Sequence, residues 1–220
     1  MDDRWHWDWI SRNSDIVWTS FQQQIDLTYR AVLIGVLISI PLAVVVRGSR
    51  VARALVIGLA SVLYTIPSLA ALTLLGPFTG YISRMTVDIV LVSYTLVILL
   101  RNIITGLDEV PAEVREAARG MGLSGAQLLL KVEFPLALPS IMAGIRLATV
   151  TTIGLATLAS LVAQGGLGFL IIYEGFQRQI LSAAVVGSAL AVGLAVASDA
   201  VLVGLQRLLT PWARNRAVAG

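Results

Sequence analysis

Long uncharged runs, rather than the alternation of a soluble strand or surface helix, set the pattern of this chain. Between Arg30 and Arg47 lie 16 residues without a charge, Ala31 to Val46. They make about 24 Å of helix at 1.5 Å per residue, slightly short of a 30 Å hydrocarbon core unless the flanking arginines snorkel. From Ala54 to Ser83 there are 30 uncharged residues, but Gly76-Pro77 and Gly80 break the later part. The second span is therefore expected over roughly Ala54 to Leu75, kinked at Pro67. The third, within Thr86 to Leu100, carries Asp88 near its start and then 12 residues free of charge. Leu147 to Tyr173, 27 uncharged residues ending in the glycine-rich stretch from Gln164 to Gly168, is the fourth. Gln179 to Ser198, 20 residues before Asp199, is the fifth. The pattern predicts an all-α polytopic membrane protein with about five transmembrane helices.

Composition agrees. Of the 220 residues, 57% are hydrophobic and 13% charged, where a water-facing surface needs about 25% charged residues. The mean hydropathy is +0.84. There is no Cys and one His, His6. That excludes a disulfide framework, a thiolate zinc site, a Cys nucleophile, an H-E-x-x-H protease and an imidazole-ligated haem. No catalytic residue and no metal ligand set is expected. The formal charge of +3 comes from basic residues scattered singly, so nucleic acid is not an expected partner and membrane lipid is.

The arginines and lysine instead report topology. Five spans put the termini on opposite sides, and the side holding loop 47–53, loop 101–146 and the C-terminal tail carries 11 basic residues against 5 on the other. The positive-inside rule then places the N-terminus outside and the long loop in the cytoplasm. The expected organisation is an external Trp-rich segment over 1–28, a transmembrane domain over 29–210 containing that loop, and a cytoplasmic tail over 211–220. No cleavable signal peptide and no internal repeat is apparent.

The loop carries helix signals: Pro111 in the opening turn, Glu113 and Glu116 early, Arg119 late, then Gly120 and Gly122 as stops. Val114, Ala117, Ala118 and Met121 fall at i, i+3, i+4 and i+7, opposite Glu113, Arg115, Glu116 and Arg119. About three turns are too short to be stable alone, so the small-residue face is expected to pack on its own domain or in a groove of another protein.

Here a resemblance becomes specific. Glu116-Ala117-Ala118, three residues, Gly122, nine residues, then Val132-Glu133-Phe134-Pro135 resembles the EAA loop of the permease subunits of ATP-binding-cassette importers. Val132 and Phe134 replace that family's usual Ile and Leu. The stretches Tyr64 to Leu72, Leu100 to Asn102, Pro135 to Pro139, Ile141 to Arg146 and Gly165 to Gly168 are similar to the osmoprotectant branch, importers of glycine betaine, carnitine, choline or proline betaine. The resemblance implies a cytoplasmic coupling helix in which Val114, Glu116, Ala117, Ala118, Met121 and Gly122 meet an ATPase. It implies as partners two ATPase subunits, a second permease subunit, identical or paralogous, and an external substrate-binding protein, in a bacterial or archaeal inner membrane. This chain has no G-x-x-x-x-G-K-[ST] loop, so ATP and Mg belong to the partner and no cofactor is expected here. A permease for another small solute such as an amino acid is the alternative; a secondary transporter or an intramembrane enzyme is disfavoured by the coupling loop and the missing chemistry.

Other residues are read in two ways. Ser61, Tyr64, Thr65 and Ser68 share a face beside Pro67, and Thr149, Thr152, Thr157, Ser160 and Gln164 fall within an arc of about 140° at 100° per residue. Such polar faces line a water-filled translocation path or hydrogen-bond neighbouring helices. Trp5, Trp7, Trp9 and Trp18 are read as an interfacial anchor rather than a cation cage. Asp199 is expected to pair with Arg207, two turns on, and Asp88 to lie near the outer interface. The charge asymmetry makes a test: a reporter fused after Gly220 is expected in the cytoplasm, and a Cys at Ser11 should be labelled by an impermeant reagent in intact cells. Labelling only after lysis reverses the orientation.

Overall fold

The computed structural model describes residues 5–80, 83–161 and 165–213. Among these every regular element is helical: α1 (Trp7–Arg12), α2 (Ser14–Val46), α3 (Arg50–Thr65), α4 (Ser68–Thr79), α5 (Arg84–Asp108), α6 (Ala112–Gly120), α7 (Gly125–Leu128), α8 (Phe134–Ala159) and α9 (Leu181–Leu209). A π-helical turn, Leu129–Glu133, fuses α7 to α8, and a second, Phe169–Gln177, precedes α9. Four stretches are long and apolar enough to cross a membrane, Ser14–Val46, Arg84–Asp108, Gly125–Ala159 and Leu181–Leu209, and the bent α3–α4 pair, counted as one span, makes a fifth. The fourth expected span, Leu147 to Tyr173, is displaced: the helix runs through Arg146, which is neutralised by Asp199, and stops at Ala159 before the glycine-rich stretch.

α5 is the central helix. It packs against α8, α2, α3 and α4, and 61% of its apolar window is buried against 33% in each of the other three long stretches. Glycines set how closely its neighbours approach. A Cβ at Gly35 of α2 would lie 2.7 Å from Thr95 Cγ2, and one at Gly106 would lie 2.8 Å from Ser140 Cβ and 3.0 Å from the Ala137 carbonyl oxygen. Small residues at such crossings let backbones come close enough for dispersion contacts to accumulate. Around them lie two apolar clusters, one on Leu99, Ile103 and Ile141, the other on Leu72, Leu91 and Ala156.

The first helix is longer than the uncharged run suggests. α2 begins at Ser14 and passes through the expected boundary at 28/29 without interruption, with Gln24 and Thr28 fully buried. The shortfall of the 16-residue run disappears because polar residues on its N-terminal half are absorbed by helix contacts. α1 in turn lies against α9, where Ser182 Oγ donates to the His6 carbonyl.

Pro67 does more than kink its span. α3 and α4 meet at 96°, with Ile66 and Pro67 both extended. Proline has no N–H to continue the ladder, and its ring excludes the helical region for the residue before it. The Ile66 carbonyl so freed accepts a hydrogen bond from Tyr94 Oη on α5.

Charges in the bundle are paired across helices. Asp88 holds Arg30, and Asp26 holds Arg84, so α2 and α5 are joined by four alternating charges. Asp199 does not pair with Arg207: Arg146 on α8 reaches it with two N–H groups, at 2.8 and 3.1 Å. Eight residues along one helix is about 12 Å of rise, beyond the i+4 separation at which side chains meet, whereas a facing helix offers a planar fork directly.

The glycine contacts give a stability test. Gly35→Leu should destabilise the bundle by about 1–3 kcal/mol through overpacking, read as a lower melting temperature in detergent. Gly58→Ala, with nothing within 4 Å of its Cβ, should leave it unchanged.

Candidate functional site

Two polar regions stand apart from the packed core. The first is the end of the bundle formed by loop 101–146. α6 opens after Pro111 and closes in a glycine cap: Gly122 has φ +81°, the Leu123 N–H bonds to the Ala118 carbonyl at 3.2 Å, and the Gly122 N–H to that of Arg119 at 2.9 Å. This pairing satisfies the orphan carbonyls only with a left-handed residue at that position, where glycine has no Cβ penalty. The Ser124 and Gln127 capping box then starts α7.

The face of α6 differs from the expected one by one residue. Val114, Ala117 and Met121 are exposed, Met121 at 73%, as are Glu116 and Gly122, but Ala118 is buried at 2%. Ala118 and Arg115 turn inward together. Arg115 meets Glu133 at 3.3 Å and donates to the Leu107 carbonyl at 2.6 Å. The inward side of the helix is thus fixed by a charge that helical periodicity alone assigns to solvent.

Glu133 is the joint of this end. Its side chain, 7% exposed, takes Arg115 from α6 and Arg47 from the end of α2. Arg53 adds a bond to the Arg47 carbonyl at 3.2 Å and another to Asp108, while Ser140 Oγ donates to Glu109 at 2.7 Å. A carboxylate buried between two guanidinium groups is satisfied where it would be costly alone. Sequence reading passed over Glu133, although a lone acid in the apolar run from Leu128 to Leu138 was its signal.

The second region is the break between α3 and α4. Tyr64 is 44% exposed and its ring packs on Tyr94, centroids 5.3 Å apart. Ser61 accepts a hydrogen bond from Arg101 at 2.7 Å, Thr65 is exposed and donates to the Val62 carbonyl, and Ser68 is half-buried at the start of α4. The expected common face is divided by the break: Ser61, Tyr64 and Thr65 lie on α3, and Ser68 opens α4 beyond the 96° bend.

The arc on α8 does not join them. Thr149 and Thr152, each 1% exposed, bond back to the carbonyls of Ile145 and Ala148, and Thr152 meets Thr95 of α5 at 3.1 Å. Thr157 faces Gln24 of α2, and Ser160 Oγ bonds to the Thr157 carbonyl. Of the two readings left open for this arc, helix packing is what these contacts provide. Gln164 lies outside the described residues. Its neighbours are held by α2: the Gly166 N–H donates to Gln23 at 3.0 Å, the Leu167 N–H to Gln24 at 3.1 Å, and Gln24 Nε2 reaches the Ile153 carbonyl at 2.8 Å.

Comparison with known proteins gives these regions a context. The profile of the family described as binding-protein-dependent transport system inner membrane component matches residues 31–215. The choline transport system permease protein OpuBB of Bacillus subtilis (strain 168) is 36% identical, with 88% of each chain covered. The osmoprotectant import permease protein OsmW of Salmonella typhimurium is 35% identical, covering 86% of this chain and 89% of that one. In shape, the chain resembles the MetNI methionine ABC transporter in an inward-facing conformation, with TM-score 0.77, 22% identity, and coverage of 89% of this chain and 98% of that one.

Glu133→Ala should cost roughly 1–3 kcal/mol of local stability, since both arginines keep about a third of their side chains in contact with solvent. The expected readout is faster amide exchange confined to residues 112–124, with α5 and α9 unchanged.

Proposed function

The chain belongs to the binding-protein-dependent transport system inner membrane components, as a permease subunit of an ATP-binding-cassette importer, and from that premise we propose that its cargo is a compatible solute bearing a quaternary ammonium. The observation that carries this reading is the identity of 35–36% with permeases named for choline and osmoprotectant import over at least 86% of the chain. The methionine transporter shares the fold at 22% identity and says nothing of the cargo. The polar groups at the α3–α4 break, Ser61, Tyr64, Thr65 and Ser68, include no acid, which suits a solute whose cation is shielded by methyl groups and requires no buried carboxylate to hold it.

Work is done on this chain from its long loop. The exposed trio Val114, Ala117 and Met121, flanked by Glu116, is the coupling surface that seats in an ATPase subunit, and Gly122 sets the angle at which α6 leaves it. ATP and Mg are bound by that partner. Closure of two ATPases would push α6, and Glu133 would pass the push to α2 and to the helix leading into α8. Such a permease works as a pair, with an identical or paralogous subunit, and receives its cargo from an external binding protein. The excess of basic residues at the loop end supports a cytoplasmic C-terminus.

Deleting the chain from cells without a redundant importer should abolish high-affinity uptake of radiolabelled glycine betaine, carnitine or choline under hyperosmotic stress. Unchanged uptake of all three, with loss of an amino acid such as methionine, overturns the cargo. Ala117→Asp should lower transport at least tenfold while the spans still insert, because it sets a charge in an apolar contact. Wild-type uptake in that variant removes the coupling assignment.

A further inference from the structure

The break between α3 and α4 brings together two pairs of side chains, one aromatic and one polar. On α3, Ser61 and Tyr64 lie one turn apart on one face; on α5, Arg101 and Tyr94 lie two turns apart on one face. Across the helix contact Tyr64 packs on Tyr94, and Arg101 donates to Ser61. The result is a short ladder with an aromatic rung and a guanidinium rung.

The aromatic rung lies deep in the membrane. Tyr94 is 10 residues from Arg84 and 14 from Asp108, the two ends of α5, or about 15 Å and 21 Å along the axis. At the same level α3 ends at Thr65, where the chain turns through 96°. A helix C-terminus carries partial negative charge on carbonyls that have no intrahelical partner. One of the carbonyls at this break, that of Ile66, is already held by Tyr94 Oη, which fixes the tilt of the Tyr94 ring behind Tyr64.

We propose that Tyr64, Tyr94 and the carbonyl end of α3 form a subsite for a trimethylammonium head, with the Arg101 guanidinium, held at the level of Ser61 one turn away along α3, receiving the carboxylate of the same zwitterionic solute. A quaternary ammonium has no N–H to donate, so it is held by ring faces and carbonyl dipoles rather than by a carboxylate. Tyr64 presents such a face, being 44% exposed with its back on Tyr94. A primary ammonium would instead demand acceptors in a fixed geometry, and an isolated anion would meet the negative end of α3. Arg101 starts two turns from Tyr94 on α5, but its side chain reaches back to Ser61, so along α3 the guanidinium lies one turn, about 5 Å, from the aromatic rung, a spacing that matches a head and a carboxylate joined by a short chain. This inference rests on the cargo reading above and adds to it where the two ends of the cargo sit.

The test uses the complete importer, with its ATPase and binding-protein partners, in proteoliposomes, and measures uptake of radiolabelled choline, carnitine and glycine betaine. Because the binding protein captures solute first, the subsite should act on turnover and leave KM within about twofold. Tyr64→Leu should lower turnover about tenfold for all three solutes and Tyr64→Phe less than threefold. Phenylalanines of increasing fluorination at position 64 should lower it stepwise, since fluorine drains the ring face without changing its size. Arg101→Gln should lower turnover of carnitine and glycine betaine about tenfold and that of choline less than twofold. A flat fluorination series, full activity in Tyr64→Leu, or an equal loss for all solutes in Arg101→Gln overturns the proposal. So does a wild-type importer that carries choline and neither carboxylate-bearing solute. If the wild-type importer carries none of the three, the cargo reading itself falls, which separates the two failures. Co-purification of each variant with its ATPase establishes that a lost activity is not a lost complex.

Discussion

Apolar helices gain nothing from leaving lipid for one another, since the tails around them are as apolar as leucine. Everything that gives this bundle a defined shape must therefore come from close approach and from polar groups that lipid cannot satisfy. α5 collects both. Gly35 lets α2 lie directly on Thr95, Gly106 lets α8 lie on α5, and Asn102 sits where Gly144 leaves room. The charged pairs Arg30 with Asp88 and Arg84 with Asp26 pin the same helices at one end, and Arg53 with Asp108 pins α3 to α5 at the other. Without the central helix α3 and α4 would lose their main packing surface, while α8 and α9 would stay joined to each other.

Polar residues in the bundle fall into two kinds once this constraint is applied. Thr95, Thr149 and Thr152 return their hydroxyl protons to a carbonyl four residues back, within their own helix. Such groups cost little in a dry interior and glue helices together. Ser61 makes the same return bond, to the Ile57 carbonyl, but also accepts from Arg101 of α5, and Tyr64 leans on Tyr94 of α5 while staying 44% exposed. The distinction is made by neighbours rather than by residue type.

That is why the sequence could be read so far and no further. Uncharged runs are long-range signals of membrane depth, and they found the spans but misplaced the fourth, which ends at Ala159 rather than Tyr173 and begins upstream of Arg146; the spacing of Pro111, Glu116 and Gly122 located α6 and its glycine cap. Pairings between helices leave no such trace. The partner of Asp199 is 53 residues away on α8, and the inward turn of Ala118 depends on Arg115 meeting Glu133 in the π-helical turn. A helical wheel assigns both arginine and glutamate to water. The same limit left the threonines of α8 open between lining a path and packing helices, because an arc of hydroxyls has one appearance on a wheel whichever neighbour it faces. At Pro67 the local chemistry was visible, but not that the Tyr94 hydroxyl on α5 donates to the freed Ile66 carbonyl.

The fusion of α7, the π-helical turn and α8 gives 35 continuous residues, Gly125–Ala159, or about 52 Å of rod. One end of that rod begins three residues beyond the glycine cap of α6, and the other reaches the Thr157 and Ser160 turn beneath the glycines held by Gln23 and Gln24. A rod of this length is a lever: tilting it by about 5° about one tip swings the other through roughly 4–5 Å, close to the one-turn rise of a helix. A small change of angle at the α6 end of such a rod would thus be delivered at its far end as a sideways displacement of several ångströms.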